Sequence, residues 1–528
     1  MSTKVLDKNQ YRIPFFGEKM RFIRGLDPLG LQLSSQRAYS YLLPGLNNVT
    51  GRIRYYSFYC WLLNEYSIRN GSTNPAEQKR FIRRAEYIIA LCSQFGNIEG
   101  ISGSTYAKNI VETAATEFDL QKGTYNPDGS TDGTYWKYSF GIFGQYYLGS
   151  LRQIGLVSER DIHAEVYART SKREGIKVTG EDLAEAFNNN ISLDKKKIFF
   201  NAISNGNISK DQLLSLLPDF DMTKVSPESD EQNLLIDLLI DKDEPLRIEE
   251  NPITMRKRTL VQLLQFIESG IDELSDRAFV KMAYNEKGKI DGKFDDCLLG
   301  WYFYQCNEYW QFSSTAILNG LIDILQSEVN TGWMFLPDLA EISGKQILYF
   351  LKEEKLIPDE NITLQRIIES HLPEEEDLYK LIKTTRGTKR AAYGFLLILK
   401  LYTENSDNLG ELKTYINSKG LSSQNDIVTY LLRFNSFLTK RFREFIETFL
   451  YNRIIFRHQF VAFNKIGGGT QTTQKFIIED NKIRHISNFE PVNTGPRIAN
   501  LISFLKDLDI INSKDLLSEK GMQVLLSI

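Results

Sequence analysis

The stretch NPAEQKRFIRRAEYIIALCSQFGN, residues 74–97, carries the signals that decide the fold class. Asn74 is a good N-cap, Pro75 suits the first helical position, and Gly96 suits the end of a helix. Between these limits the apolar residues recur at helical spacing. A similar pattern returns along the chain, for example in SKDQLLSLL (209–217), whereas strand patterns are few. The sequence therefore predicts a mainly α, multi-domain protein with small β-hairpins.

The best strand signal is QKFIIEDNKIRHI, residues 474–486. Two short apolar runs flank Asp480 and Asn481, which are residue types that suit a tight turn between antiparallel strands. We expect a β-hairpin at this position.

The chain has 528 residues, which is too long for a single hydrophobic core. Polar stretches mark breaks along it. We predict a helical N-terminal domain over 1–160, two helical middle domains over 161–290 and 291–430, and a long helix with a C-terminal module over 431–528.

The C-terminal module is expected from LKDLDIINSKDLLSEKGMQVLL, residues 505–526. This stretch resembles the end of many winged-helix domains: a helix, a short strand, and a serine-capped final helix with Gly521 near its start. The resemblance implies a module that binds DNA or a protein partner.

Composition restricts the classes of function. The net charge is −3 and the pI about 6.0, so any nucleic-acid site must be a local patch. No apolar stretch approaches the ~20 residues of a membrane helix, and the polar start MSTKVLDKNQ is not a signal peptide. We therefore expect a cytoplasmic protein without membrane contact. The four cysteines form no C-x-x-C pair, and no P-loop follows the glycines, so no metal and no cofactor is predicted.

An arginine and tyrosine cluster lies in RFIRGLDPLGLQLSSQRAYSYLLPGLNNVTGRIRYY, residues 21–56. Arginines beside aromatic rings grip phosphates and stack on bases, which makes Arg37, Arg52 and Arg54 candidate nucleic-acid contacts. Arg52 and Arg54 also stand at the start of an apolar helix, where cations oppose the helix dipole. Either a bound anion or a buried salt bridge, for instance to Asp27, would neutralise the positive charges of Arg52 and Arg54 at this helix end.

Two parts of this region, GLDPLGLQ (25–32) and YSYLLPGLNNVTGRIRYYSFYCWLL (39–63), resemble the N-terminal region of uncharacterised bacterial proteins associated with antiphage defence gene clusters. The resemblance implies a place in a multi-gene system with protein subunits as partners. No activity and no functional residue follow from it.

A second basic run precedes the C-terminal module. It is the more credible local patch for a nucleic-acid backbone, DNA or RNA. The run comprises Lys440, Arg441, Arg443, Arg453, Arg457, His458 and Lys465. The predicted nucleic-acid contacts among them are Lys440, Arg441, Arg443, Arg457 and Lys465.

The same region offers an enzymatic alternative. In YNRIIFRHQF, Arg453 and His458 have the spacing of the Arg-x-x-x-x-His motif, and the stretch resembles HEPN-type ribonucleases, where this pair brackets the scissile phosphate. A polar residue usually follows the arginine in that family, whereas isoleucine follows it here. The structural alternative is a surface arginine with a partly buried histidine.

The leading hypothesis is a non-enzymatic protein that binds nucleic acid or a protein partner as the sensor or adaptor of a bacterial, antiphage-type system. One alternative is a HEPN-like ribonuclease that uses Arg453 and His458. The other is a purely structural scaffold subunit.

Overall fold

Helices dominate the chain, and the predicted fold class is confirmed. The computed structural model describes residues 21–22, 27–113, 115–161, 165–240, 252–465 and 471–528. Its α-helices are α1 Gln32–Leu42, α2 Arg54–Arg69, α3 Pro75–Phe95, α4 Ser104–Val111, α5 Leu120–Thr124, α6 Leu148–Gln153, α7 Gly180–Asn189, α8 Leu193–Asn205, α9 Lys210–Leu216, α10 Asp230–Ile240, α11 Pro252–Glu268, α12 Asp276–Asn285, α13 Asp296–Val329, α14 Leu336–Glu353, α15 Leu364–Ile368, α16 Glu375–Thr384, α17 Gly387–Asn405, α18 Leu409–Ser418, α19 Ile427–Leu431, α20 Phe442–Phe449, α21 Phe456–Asn464, α22 Ile498–Asp507 and α23 Glu519–Leu526.

Two π-helical segments continue α-helices. Phe143–Tyr147 leads into α6, and Leu450–Ile455 joins α20 to α21. A 3₁₀ turn spans Phe434–Phe437. The long helix expected at the start of the C-terminal segment is therefore the continuous run from 442 to 464.

The strands are short and form small sheets. They are β1 Arg21–Phe22, β2 Glu117–Asp119, β3 Val157–Asp161, β4 Val166–Arg169, β5 Asn207–Ser209, β6 Lys289–Ile290, β7 Lys293–Phe294, β8 Met334–Phe335, β9 Gln471–Thr472, β10 Phe476–Glu479 and β11 Lys482–His485. Within the described ranges the largest sheet has three strands, in the order β10-β11-β8, all antiparallel.

The predicted hairpin at 474–486 is confirmed as the β10–β11 pair. Asp480 and Asn481 form its turn with φ of 47° and 58°. Two successive left-handed residues are the geometry of a type I′ turn, which Asn and Asp tolerate better than most residues.

The chain divides into two compact units, each built from segments that are distant in sequence. Unit 1 contains the residues up to Arg37 and Phe303–Thr494, and unit 2 contains Ala38–Tyr302 and Gly495–Ile528. This division differs from the four consecutive domains expected from composition. Polar breaks mark loops along the chain, whereas packing joins residues 27–37 and Gly495–Ile528 to segments that are distant in sequence.

An aromatic cluster forms part of the core of unit 2. Trp61 of α2 is buried, and its ring centroid lies 5.0–5.9 Å from those of Phe187, Phe199, Phe200 and Phe220. Tilted and edge-on ring pairs of this kind add to the stabilisation from burial itself. The high aromatic content of the sequence is thus used in part for core packing.

Two buried charged residues of α3 hold the irregular segment that runs from Thr124 into the helix before α6. The Arg83 guanidinium donates to the carbonyls of Thr124 (2.6 Å), Trp136 (2.9 Å) and Tyr138 (2.6 Å). The Glu86 carboxylate accepts the amides of Ile142 (2.9 Å) and Phe143 (2.6 Å) and the hydroxyls of Tyr59 and Tyr135. Glu86 therefore caps a helix from a neighbouring element.

In unit 1 the long helix α13 holds an extended segment, Phe489–Thr494, along one face. The contacts are Asn319 Nδ2 to the Phe489 carbonyl (2.7 Å), Gln311 Nε2 to the Val492 carbonyl (2.8 Å), Tyr304 Oη to the Thr494 carbonyl (2.9 Å), and the Thr494 amide to Glu308 (2.8 Å). Because these side chains follow helical spacing, one polar stripe satisfies a segment that has no strand partner.

The C-terminal residues form α22 and α23, and the Ser518 hydroxyl accepts the Gly521 amide at 3.0 Å as the predicted cap of α23. Between the helices Ile511 and Leu517 form a single isolated bridge. Residues 495–528 thus contain the expected helices and no two-stranded wing, and the winged-helix module stays a prediction.

Among the described residues, no helix combines the length and apolar character required to cross a bilayer.

Replacing Glu86 by glutamine tests the capping network. The new NH₂ group would face hydroxyl or amide donors, so we expect the free energy of unfolding to fall by about 2–3 kcal/mol. Urea unfolding measures the loss, and limited proteolysis within 124–138 shows where the structure opens. Glu112→Gln, at an exposed carboxylate, is the control. Equal stability of the two variants would contradict the role given to Glu86.

Candidate nucleic-acid interface

The arginines at the start of α2 are engaged with carboxylates of unit 2. Arg54 is 3% exposed, and its Nε lies 3.4 Å from Glu231 Oε1. Arg52 Nη1 lies 2.8 Å from Asp507 Oδ1, and burial raises the pKa of Asp507 to about 7. The salt-bridge interpretation therefore describes these arginines, with partners other than Asp27. Because Arg54 is buried, a phosphate in solvent cannot contact its guanidinium.

Asp27 has a different role. Its carboxylate accepts the amides of Leu31 (3.0 Å) and Gln32 (3.2 Å) and so caps α1.

Basic side chains at the end of the second basic run bind four consecutive backbone carbonyls of unit 1, those of Asp27–Gly30. Lys465 donates to Asp27, His458 Nδ1 to Pro28 (2.8 Å), and Arg457 to Leu29 (2.7 Å) and Gly30 (3.4 Å). We call this contact the carbonyl clamp. Arg457 and Lys465, both predicted to bind nucleic acid, thus hold the chain's own backbone.

His458 is fully buried, and both ring nitrogens bind backbone groups. Because Nδ1 faces the Pro28 carbonyl, it carries the proton, and Nε2 accepts the Lys475 amide at 2.9 Å. Burial lowers the pKa of His458 to about 4. A neutral imidazole with both nitrogens occupied cannot exchange a proton with a substrate.

The second residue of the ribonuclease alternative, Arg453, is partly buried. The Arg453 guanidinium lies 4.8 Å from the centroid of the Tyr430 ring, and burial lowers its pKa. The geometry of Arg453 and His458 therefore offers no support for a HEPN-like active site.

The remaining predicted contacts have different environments. Lys440 and Arg441 are exposed, with the Lys440 ammonium 5.3 Å from the centroid of the Phe437 ring. Arg443 pairs with Glu447 at 2.9 Å and with Glu341 at 3.4 Å. Arg37 is exposed, and one of its amino groups donates to the Ser422 carbonyl at 3.1 Å. The eight predicted residues are thus divided between two units, and most have internal partners.

The three-stranded sheet of unit 1 presents an aromatic and basic face that sequence reasoning missed. Trp333 and Phe335 are 36% and 51% exposed, and they stand two residues apart at β8. On the neighbouring strand β11, Lys482 Nζ lies 5.2 Å from the Phe335 ring centroid, and the Arg484 guanidinium carbon lies 5.9 Å from that of Trp333. We call these four residues the sheet platform.

The opposite side of the same sheet is buried. Ile483 is between Lys482 and Arg484 on β11 and is fully buried, and Phe476 packs against His458 with 4.9 Å between ring centroids. Strand alternation thus turns the sheet platform outward and the apolar residues toward α21. The period-two pattern Lys-Ile-Arg was visible in the sequence, but its pairing with Trp333 and Phe335 was not.

Helix α21 has an exposed aromatic stripe. Phe456, Phe460 and Phe463 are all exposed and lie at i, i+4 and i+7 on one face. His458 points away from them into the core. The aromatic stripe and the sheet platform therefore lie on opposite sides of the layer formed by α21 and the sheet.

Comparison with known proteins adds no assignment: no protein-family model, no curated protein and no solved structure matches this chain.

Stability should depend on pH through His458. Above pH 6.5 the imidazole is neutral in both folded and unfolded states, so its contribution is fully present. As pH falls from 6.5 toward 4, His458 becomes protonated in the unfolded chain but stays neutral in the folded protein. Protonation therefore stabilises the unfolded state, and the contribution of His458 to the free energy of unfolding is lost. Relative to His458→Gln, the wild type should lose about 2 kcal/mol between pH 7 and pH 5.

Urea unfolding of both proteins at the two pH values measures this difference, with His371→Gln as an exposed-histidine control. Parallel pH profiles for wild type and His458→Gln would show that the ring is not held neutral.

Proposed function

We propose that this protein binds single-stranded nucleic acid on the sheet platform, without catalysing a reaction on it. The observation that carries the proposal is the pairing of two exposed aromatic rings with two cations across β8 and β11. Proteins that bind single strands combine stacking surfaces for the bases with cations for the backbone.

The charges of the sheet platform are available to a ligand. Among the described residues, neither Lys482, which is exposed, nor Arg484, which is partly exposed, forms an ion pair. This distinguishes them from Arg54, Arg443 and Arg457, which have internal partners. Glu479 is the cross-strand neighbour of Lys482 and is the one carboxylate on the face of the β10–β11 pair. Its negative charge weakens the attraction of this face for phosphate, so removing that charge tests the proposal.

The rings favour single strands over duplexes. Stacking on Trp333 or Phe335 requires an exposed base face, which a base-paired duplex does not present. Each stacked base contributes about 1–3 kcal/mol, and the contribution depends little on base identity. We therefore expect a sequence-tolerant site that accepts DNA and RNA.

The proposed biological role is a sensor or adaptor in the cytoplasm of a bacterium, in a multi-gene antiphage system. That role is supported only by the resemblance of residues 25–63. The aromatic stripe on α21 favours a contact with a protein subunit, which is also what the scaffold alternative requires.

Removing the charges of the sheet platform tests the proposal. We expect Lys482→Ala/Arg484→Ala to weaken binding of a labelled dT or rU 15-mer and to lower the slope of log affinity against log salt by about 1.4, since two phosphate contacts are lost. Fluorescence anisotropy at several salt concentrations measures both. Lys440→Ala/Arg441→Ala is the matched double control. Loss of binding in the control alone would move the site to the basic run.

Substitutions of Trp333 and Glu479, which lie on the same face of the sheet, give a second test. Trp333→Ala should cost about 1–3 kcal/mol of binding free energy, while Phe460→Ala on the aromatic stripe should leave affinity unchanged. Glu479→Gln should strengthen binding, because it removes a charge that repels phosphate. Quenching of tryptophan fluorescence by the oligonucleotide should vanish in Trp333→Phe. Undiminished quenching in that variant, or weaker binding by Glu479→Gln, would refute the sheet platform as the site.

A further inference from the structure

Unit 2 contains an open cleft of about 600 Å³ between α6 and the β3–β4 hairpin. Its volume falls in the range of small-molecule sites. One wall is the face of α6 that carries Gly149, Arg152 and Gln153, at positions i, i+3 and i+4. The other walls come from β3, from the residues that follow β4, and from the loop that leads to α7.

The cleft holds donors without internal partners. Arg173 makes no side-chain hydrogen bond and no ion pair with the described residues, and the same holds for the Ser158 hydroxyl. Gln153 Oε1 accepts the Gly45 amide at 3.0 Å, which leaves its NH₂ group to a ligand. Arg152 is half-exposed and pairs with Glu159, the one carboxylate among the lining residues. The lining therefore has a net positive charge.

Gly149 leaves the cleft open on the side of α6. It lies inside α6, where glycine is less stable than alanine because its backbone is freer in the unfolded chain. Its backbone is helical, and a Cβ at this position would meet no other atom within 4 Å. Neither packing nor a left-handed backbone requires glycine here. The absence of a side chain at this position gives a ligand in the cleft direct access to the helix backbone.

The geometry points to a binding site for a phosphorylated small molecule of about nucleotide size. Arg173 binds the phosphate, since a guanidinium donates two parallel hydrogen bonds to its oxygens, and Arg152, held by Glu159, orients the wall of α6 beside it. Ser158 and the Gln153 amide bind polar groups of the remainder, and the exposed Ile176 side chain covers an apolar part. This site lies within unit 2 and does not depend on the nucleic-acid site proposed in unit 1.

Isothermal titration of the full-length protein with ATP, AMP, ribose 5-phosphate and inorganic phosphate tests the assignment, with adenosine as the uncharged control. At least one phosphate compound should bind, and adenosine should not. Arg173→Ala should weaken binding by about tenfold or more, because one charge-assisted contact is lost. Gly149→Leu should abolish binding by filling the cleft.

Gly410→Leu is the matched control, since Gly410 is also in a helix with open space around it and lies in unit 1. Gly410→Leu should bind the phosphate compounds with the same affinity as the wild type. Thermal unfolding of Gly149→Leu separates blocked binding from misfolding, because leucine is the better helix former and the variant should be no less stable. The inference is overturned if no phosphate compound binds at about 1 mM. It is also overturned if binding survives both Arg173→Ala and Gly149→Leu.

Discussion

Backbone that packs against helices without a strand partner must find its hydrogen bonds elsewhere, and in this protein polar side chains on helices supply them. The carbonyl clamp of α21 binds Asp27–Gly30, and the polar stripe of α13 binds Phe489–Thr494. On α3, Arg83 and Glu86 do the same for the segment that leads to α6. With so few strands available, these helix-borne contacts replace sheet pairing.

This use of side chains changes how basic residues should be interpreted. A cation bound to backbone carbonyls inside the fold has few donors left for a phosphate, even when neighbouring residues in sequence are exposed. Arg457 belongs to this class, and the neighbouring His458 is held neutral by burial, while the exposed Lys465 also donates to a backbone carbonyl. Lys482 and Arg484 do not belong to it, because strand alternation places them on the outer face of the sheet beside aromatic rings. A nucleic-acid site on the sheet platform rests on this difference.

Local features were predictable from the sequence, and long-range pairings were not. The Asn74 cap, the Ser518 cap of α23 and the Asp480–Asn481 turn depend on residues within a few positions of each other. Arg54 and Glu231 are 177 positions apart, and Arg52 and Asp507 are 455 apart. Sequence reasoning inferred that these arginines needed a counter-charge, yet it had no means to find which carboxylates supply it. The sheet platform was missed for the same reason, because β8 and β11 are brought together only by the fold.

The most direct measurement is photocrosslinking of the full-length protein to a single-stranded oligonucleotide that carries 5-iodouracil, with the attached residue identified by mass spectrometry. The halogenated base reacts with aromatic side chains that stack on it. The account predicts attachment at Trp333 or Phe335, both exposed on the sheet platform. Attachment at Phe456, Phe460 or Phe463 instead, or to any residue of unit 2, would contradict it.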